Sequence, residues 1–325
     1  MIPSTWRLRV PFYAHSEFPL ISTETTLEPR RGVFGWVEGI NGVDLALRLT
    51  LLMLLLRPIG NTWLRPLILS AAVGGLLFPQ WLRSPSLWLG LTVLTGLRVT
   101  LDWSIADNHA YLLCYWCLAI SLALISHNVP SCLALNGRLL IGLAFAFAVI
   151  WKLVLSPDYL DGRFFRVMML TDQRFSEWVQ LASGLTPEAL DELRNFVHPR
   201  KEEKQPADEP LPLPQEPARF LWLARVSTWW TVIIESAVAV SFLWPLGRGI
   251  SLLRDIFLLG FCLTTYLIVM VEGFGWLLLS MGIAQCDPQR NWVKLGYLIT
   301  FAVILWCREV PWIGWALEHL ASSSG

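Results

Sequence analysis

Long apolar segments recur along the chain and are separated by short polar turns, most of which contain a proline. Proline cannot donate a backbone hydrogen bond and restricts the residue before it, so these turns are expected to end helices. The pattern predicts an all-α fold, a polytopic transmembrane helical bundle of roughly eight spans with additional amphipathic helices. The predicted spans are about 43–56, 63–78, 86–101, 108–126, 136–155, 221–244, 250–271 and 293–306.

The apolar segments fall into two membrane halves, and a polar, proline-rich stretch lies between them. This stretch is predicted to lie outside the membrane as an amphipathic helix over 158–184, a helix that starts at Thr186 and Pro187, and a charged loop over 199–217. The predicted regions are an N-terminal polar segment without a cleavable signal (1–35), a first membrane half with spans one to five (36–157), the extramembrane region (158–219), a second membrane half with spans six to eight (220–307) and an amphipathic C-terminal tail (308–325).

One apolar stretch in the second half, over 273–286, has three interpretations. It extends the seventh span, re-enters the membrane over 273–285, or forms a further span. Gly273 and Gly275 at its start allow close helix approach or a break in the helix.

The composition supports a membrane environment. Hydrophobic residues make up 54% of the chain and charged residues 15%, whereas a soluble domain carries about a quarter charged residues. Many of the 18 tryptophans lie near the ends of apolar segments, where an amphipathic ring meets both hydrocarbon and headgroups. We therefore expect a multi-pass integral membrane protein in contact with the lipid bilayer, in the cytoplasmic membrane if the chain is bacterial. A net charge of zero gives no reason to expect a nucleic-acid partner, and no zinc-ligand spacing predicts a metal site.

Two ionisable positions stand out because charges in a span are costly and often functional. His109 lies at the start of the fourth predicted span, and Lys152 lies near the end of the fifth. Consecutive spans joined by a short turn run antiparallel, so both residues are expected at the same side of the bilayer. The pair is either a site for acid–base chemistry, with Asp102 and Asp107 nearby to orient the imidazole, or a snorkelling lysine and a helix-capping histidine. Glu235, deep in the sixth span, is expected to pair with Arg225 or Arg138.

Short motifs around these positions resemble a known family. The motifs are NHAYL over 108–112, Lys152-Leu153 followed by PDYLDG over 157–162, and a late segment with Thr265-Tyr266 and FGWLL over 274–278. They are similar to the membrane domain that vitamin K-dependent gamma-glutamyl carboxylase shares with its bacterial relatives, the HTTM proteins. The resemblance covers about residues 36–307. Trp151 departs from the family pattern, which has a Lys-Lys pair where this chain has Trp151-Lys152.

The resemblance implies a quinone as the cofactor. In the carboxylase, the lysine that corresponds to Lys152 is implicated in deprotonating the reduced quinone. Oxygenation then yields a strong base that removes a glutamate γ-proton, and carbon dioxide adds. The resemblance thus implies Lys152 and His109 as catalytic candidates. It implies as cofactor-binding candidates Asn108, Tyr111, Asp158 and Tyr266.

These observations leave distinct functional hypotheses. The first is a membrane enzyme that uses a lipid-soluble quinone with Lys152 as base. The alternative is a non-enzymatic partner that assembles or matures another membrane protein or a secreted peptide. A transporter is the weakest hypothesis, because no inverted repeat is visible in the chain.

Overall fold

The computed structural model describes residues 41–104, 106–197, 216–245, 248–269 and 271–323. Within these ranges the chain is helical and contains no strand, which confirms the predicted all-α fold. The helices are α1 (Gly42–Leu56), α2 (Leu64–Leu77), α3 (Pro79–Leu82), α4 (Pro85–Leu101), α5 (Asn108–Ile125), α6 (Val129–Ile150) with a π-helical turn (Trp151–Leu155), α7 (Pro157–Leu160), α8 (Arg163–Thr171), α9 (Ser176–Ser183), α10 (Pro187–Val197), α11 (Ala218–Leu243), α12 (Arg248–Tyr266), α13 (Glu272–Gln285), α14 (Asn291–Glu309) and α15 (Trp312–Ser323).

Among the described residues, three helices are long and apolar enough to cross a membrane. They are α5, α6 together with its π-helical turn, and α11. Shorter apolar helices are α2, α4 and residues 273–285 of α13. The coarse expectation of membrane-spanning helices therefore agrees with the structure, and the finer count of roughly eight spans stays a prediction.

Several prolines that were expected to end helices lie shortly after the end of one helix and also begin the next one. Pro79, Pro130 and Pro157 all lie in the first turn of a helix, where the missing N–H has no intrahelical partner to lose. At the start of α6, the Asn128 side chain accepts a hydrogen bond from the backbone N–H of Ser131 at 3.2 Å. As a result α6 begins earlier than the predicted span over 136–155.

The core of the bundle is built around α13. Every residue over 276–284 is buried, and α13 packs against α1, α6, α12 and α14. Small residues make these contacts close: a Cβ added at Gly137 of α6 would lie 3.0 Å from the carbonyl oxygen of Met281. The stretch 273–286 is thus a separate helix and does not extend α12. At 14 residues, α13 is about 21 Å long, shorter than the about 30 Å of a hydrocarbon core.

The predicted single helix over 158–184 is wrong. Gly162 and Gly184 adopt positive φ angles of 84° and 73°, which end a right-handed helix and favour glycine, so the region forms α7, α8, a 3₁₀ turn and α9. The next expectation is confirmed, since Pro187 is the first residue of α10 and the Thr186 hydroxyl accepts a hydrogen bond from the Ala189 N–H at 3.3 Å.

Helices α8 to α10 form a second hydrophobic core with the first turns of α11. Arg194 of α10 connects this unit, because its guanidinium donates to the Leu170 carbonyl at 2.8 Å and to the Ser176 hydroxyl at 2.5 Å. The C-terminal helix α15 packs on α9. The predicted N-terminal segment 1–35, and residues 199–215 of the predicted loop, lie outside the described residues. The buried apolar residues of this second core are Met169, Leu170, Phe175, Val179, Leu190, Leu193, Phe220, Leu223 and Ala224.

Candidate functional site

Lys152 lies where α6 changes its winding. The last five residues of this long helix, Trp151–Leu155, form a π-helical turn. Pro157 follows after Ser156, and because it has no N–H it cannot continue the α-helical bond to the Leu153 carbonyl. Wide turns of this kind are frequent at functional sites, since the extra residue redirects side chains that a regular helix would point elsewhere.

The ammonium of Lys152 forms an ion pair with Oε2 of Glu235 in α11, which packs along α6. Both side chains are largely buried, with exposed fractions of 11% for Lys152 and 9% for Glu235. The prediction that Glu235 pairs with Arg225 or Arg138 is therefore wrong. Removing a charged group from water costs several kcal/mol, and the attraction within a close ion pair recovers free energy of the same order. The contact accordingly neutralises both groups within the apolar helices.

Two tyrosines complete this arrangement. The Tyr159 ring lies beneath the ammonium of Lys152, at 5.2 Å from Nζ to the ring centroid. Tyr266 of α12 is buried, and its hydroxyl has no hydrogen-bond partner among the residues that the structure describes. Glu235 lies within electrostatic range of both phenols. Lys152, Glu235, Tyr159 and Tyr266 are called the Lys152 cluster from here on.

His109 lies in the first turn of α5, beside the capping residue. Asp107 caps the helix by accepting the Ala110 N–H at 3.0 Å, and its Oδ2 lies 3.3 Å from Nδ1 of His109. The opposite side of the imidazole packs on the Phe274 ring, with 4.2 Å between centroids. Of the two carboxylates suggested to orient the imidazole, Asp107 is the one that lies beside it. Asp102 instead lies 3.8 Å from Arg98.

The Asp107 carboxyl gives a pH dependence to the start of α5. The close contact with the His109 imidazole, the N–H of Ala110 and the nearby Arg57 lower the pKa of this carboxyl to about 2, from an ordinary value of about 3.9. Because the folded pKa is lowered, the stabilisation is present above about pH 4 and is lost as the pH falls towards about 2. We expect wild-type melting temperature to fall more steeply over this range than that of Asp107→Asn, which keeps the capping oxygen and does not titrate. Parallel curves in detergent would contradict this origin.

A cavity of about 370 Å³ opens beside His109. It lies between the end of α1, the start of α2, the end of α4, the start of α5 and the start of α13. Lys152 is not among its lining residues, although α5 and α6 run antiparallel and place both residues at the same end of the bundle. The two catalytic candidates therefore face different surroundings. The ionisable residues that line the cavity are Arg57, Arg65, Arg98, Asp102, Asp107 and His109.

The four cofactor-binding candidates do not lie together either. Asn108 and Tyr111 are exposed and do not line the cavity, and Asp158 forms a surface ion pair with Arg163 at 2.8 Å. Only Tyr266 lies within electrostatic range of the pair formed by Lys152 and Glu235. Glu235 was recognisable as an acidic residue in an apolar segment, but its partner depends on how α6 and α11 are rotated against each other, which no local pattern encodes.

Comparison with known proteins identified no relative of this chain. No protein-family model matches the chain, and no curated protein or solved structure matches it. The resemblance to the HTTM proteins therefore stays a prediction from the three short motifs around His109, Lys152 and Tyr266.

Proposed function

We propose that the chain is a multi-pass membrane enzyme of the HTTM type, in which the Lys152 cluster carries out acid–base chemistry on a lipid-soluble quinone. The observation that supports this most directly is the ion pair between Lys152 and Glu235. It joins two of the three helices, among those that the structure describes, that are long and apolar enough to cross a membrane. An ionisable pair at this depth is costly, and such pairs commonly mark functional sites.

The residues present fit the head of a quinone, which offers two carbonyl oxygens on a flat ring. Lys152 and the Tyr266 hydroxyl are both donors, and the hydroxyl has no partner within the described part of the chain. Leaving a buried hydroxyl unsatisfied costs about 1–3 kcal/mol, which an acceptor on a ligand would remove. Aromatic rings lie alongside: Phe261 is 5.9 Å from Tyr266 and 4.7 Å from Phe145, between centroids.

The Lys152 cluster supplies a base without a net charge. When the proton shared by the pair resides on Glu235, Lys152 is a free amine. In that form Lys152 would accept a hydroxyl proton from a bound hydroquinone, and the ammonium so formed would balance the negative charge left on the oxygen. A bound hydroquinone supplies the acidic hydroxyl and the electrons for later redox chemistry. Tyr266 would donate to a ring oxygen, and the apolar surroundings would exclude water, which strengthens each interaction.

Lipid extraction of the purified protein, followed by mass spectrometry, tests this proposal. We expect wild type to retain a quinone at close to one per chain. Tyr266→Phe removes only the hydroxyl and is expected to lower retention about fivefold or more, the loss of one hydrogen bond of about 1 kcal/mol or more. Lys152→Met combined with Glu235→Gln removes the base without leaving a charge unpaired, and is expected to abolish retention.

A matched control is Lys294→Met. Lys294 is another buried lysine, and its ammonium donates to the Pro288 carbonyl at 3.0 Å and to Asn291 at 3.1 Å, at the opposite end of the bundle. This variant should retain the quinone. Only bulk phospholipid, in equal amounts from every variant, would overturn the enzyme proposal.

That negative result would favour a role as an assembly or maturation partner. The observation in favour of this second function is the folded unit of α8 to α10, which has its own core and a further contact to α15. Such a unit offers a rigid surface beside the bundle on which a membrane protein or secreted peptide can dock. Arg194→Ala, which breaks the bonds to Leu170 and Ser176, would then impair partner maturation while leaving the bundle folded.

A further inference from the structure

We propose that the cavity beside His109 binds the phosphate group of an amphiphile. The cavity is separate from the Lys152 cluster, and its volume of about 370 Å³ falls within the usual range for small-molecule sites. Three guanidinium groups, those of Arg57, Arg65 and Arg98, line it. Guanidinium is planar and offers paired donors that match phosphate oxygens, which makes this composition suited to a phosphate.

The acidic residues of the cavity do not neutralise all of its arginines. Asp102 lies against Arg98 at 3.8 Å, and Asp107 is occupied by the Ala110 N–H and by His109. The side chains of Arg57 and Arg65 make no hydrogen bond or ion pair with another described residue, although Arg57 lies near enough to Asp107 to help lower its pKa. Two guanidinium groups therefore have donors available for an anion.

The rest of the lining indicates an amphiphile. The lining also has an apolar part, which is formed by Met53, Leu54, Leu113 and Leu277. Trp63 and Trp103, which lie near the lining residues Asn61 and Asp102 in sequence, are exposed by 83% and 74%, as expected for rings at the depth of lipid headgroups. This depth rests on the membrane placement proposed above. A ligand with an anionic head and an apolar body satisfies both parts of the cavity.

Gly273 sets the position of Arg57. A Cβ added at Gly273, in the first turn of α13, would collide with the guanidinium of Arg57. The absence of a side chain there lets the guanidinium lie over the start of the helix. Gly273→Ala consequently displaces the charge without removing it.

Native mass spectrometry of the delipidated protein tests the proposal with three probes: dioctanoyl phosphatidic acid, inorganic phosphate and dioctanoylglycerol. We expect saturable binding of the phosphatidic acid and none of the glycerol lipid. Arg57→Gln should weaken binding about tenfold or more, the loss of a charge-assisted hydrogen bond. Gly273→Ala should weaken it in the same direction. Arg83→Gln is the matched control, because Arg83 pairs with Asp44 at 2.7 Å at the opposite end of the bundle.

The probes separate the source of the phosphate. Preference for the phosphatidic acid over inorganic phosphate supports a lipid headgroup. Equal affinity for both, with mutual competition, supports the phosphate site but assigns it to a soluble phosphate compound. The proposal is overturned if neither probe binds saturably, or if Arg57→Gln and Gly273→Ala, both folded by melting temperature, bind as tightly as Arg83→Gln. Retention of a quinone by the Lys152 cluster does not affect these results, so the two proposals fail independently.

Discussion

Lys152→Met is expected to destabilise the protein by about 3–5 kcal/mol, because it leaves the Glu235 carboxylate buried and unpaired. Glu235→Gln should cost less, since the ammonium of Lys152 keeps the nearby Tyr159 ring as a partner at 5.2 Å. The measurement is reversible unfolding in mixed detergent micelles, followed by circular dichroism. The single and double variants form a thermodynamic cycle that isolates the energy of the pair.

The double variant Lys152→Met/Glu235→Gln distinguishes pairing from simple loss of packing. If the two charges stabilise each other, the double variant should be more stable than Lys152→Met alone, because no charge remains unpaired. Lys294→Met again serves as the control and should behave independently of Glu235. Additive effects of Lys152→Met and Glu235→Gln would show that the two residues do not interact in the folded protein.

Asp255→Ala is the second change with a large expected effect, at about 2–5 kcal/mol. Asp255 is buried in α12, and its Oδ1 accepts hydrogen bonds from Tyr297 at 2.8 Å and from Gln285 at 2.7 Å. It therefore ties α12 to α13 and α14 at the end of the bundle away from the Lys152 cluster. Its loss leaves the buried Tyr297 hydroxyl and the half-buried Gln285 amide without this acceptor, and it removes the counter-charge of the neighbouring Arg254.

Two milder variants make this test specific. Asp255→Asn keeps an acceptor oxygen and should recover part of the stability. Tyr297→Phe removes a single donor and should cost about 1–3 kcal/mol, again from unfolding in mixed micelles. If Asp255→Ala cost no more than Tyr297→Phe, the carboxylate would not be holding the three helices together.

The sequence was informative where local chemistry decides the structure. Apolar segments predicted the helices, and the Thr186-Pro187 pair predicted the start of α10. Prolines marked the helix boundaries but did not show which helix each proline belongs to, because a proline can both end one helix and begin the next. The prediction of one helix over 158–184 was wrong because it relied on the apolar periodicity and gave too little weight to Gly162. The left-handed backbone conformation of Gly162 interrupts the helix there.

The candidate site was predictable only in part. Lys152 and His109 were placed at the same end of the bundle by the antiparallel order of α5 and α6 alone. Their separation into a charged cluster and an arginine-lined cavity depends on how each helix is rotated about its axis. Most of these helices carry apolar residues on every side. A helix of this kind has no polar face that would indicate its rotation about its axis.

The π-helical turn over Trp151–Leu155 has a consequence for recognising related chains. A regular helix turns about 100° per residue, so a chain one residue shorter in this turn would resume regular winding and rotate everything after Leu155 by about that angle. Such a chain would keep the same composition and the same helices, yet Tyr159 would no longer lie beneath Lys152. The spacing between the lysine and the tyrosine, rather than overall similarity, is therefore the trait to compare when asking which chains share this cluster.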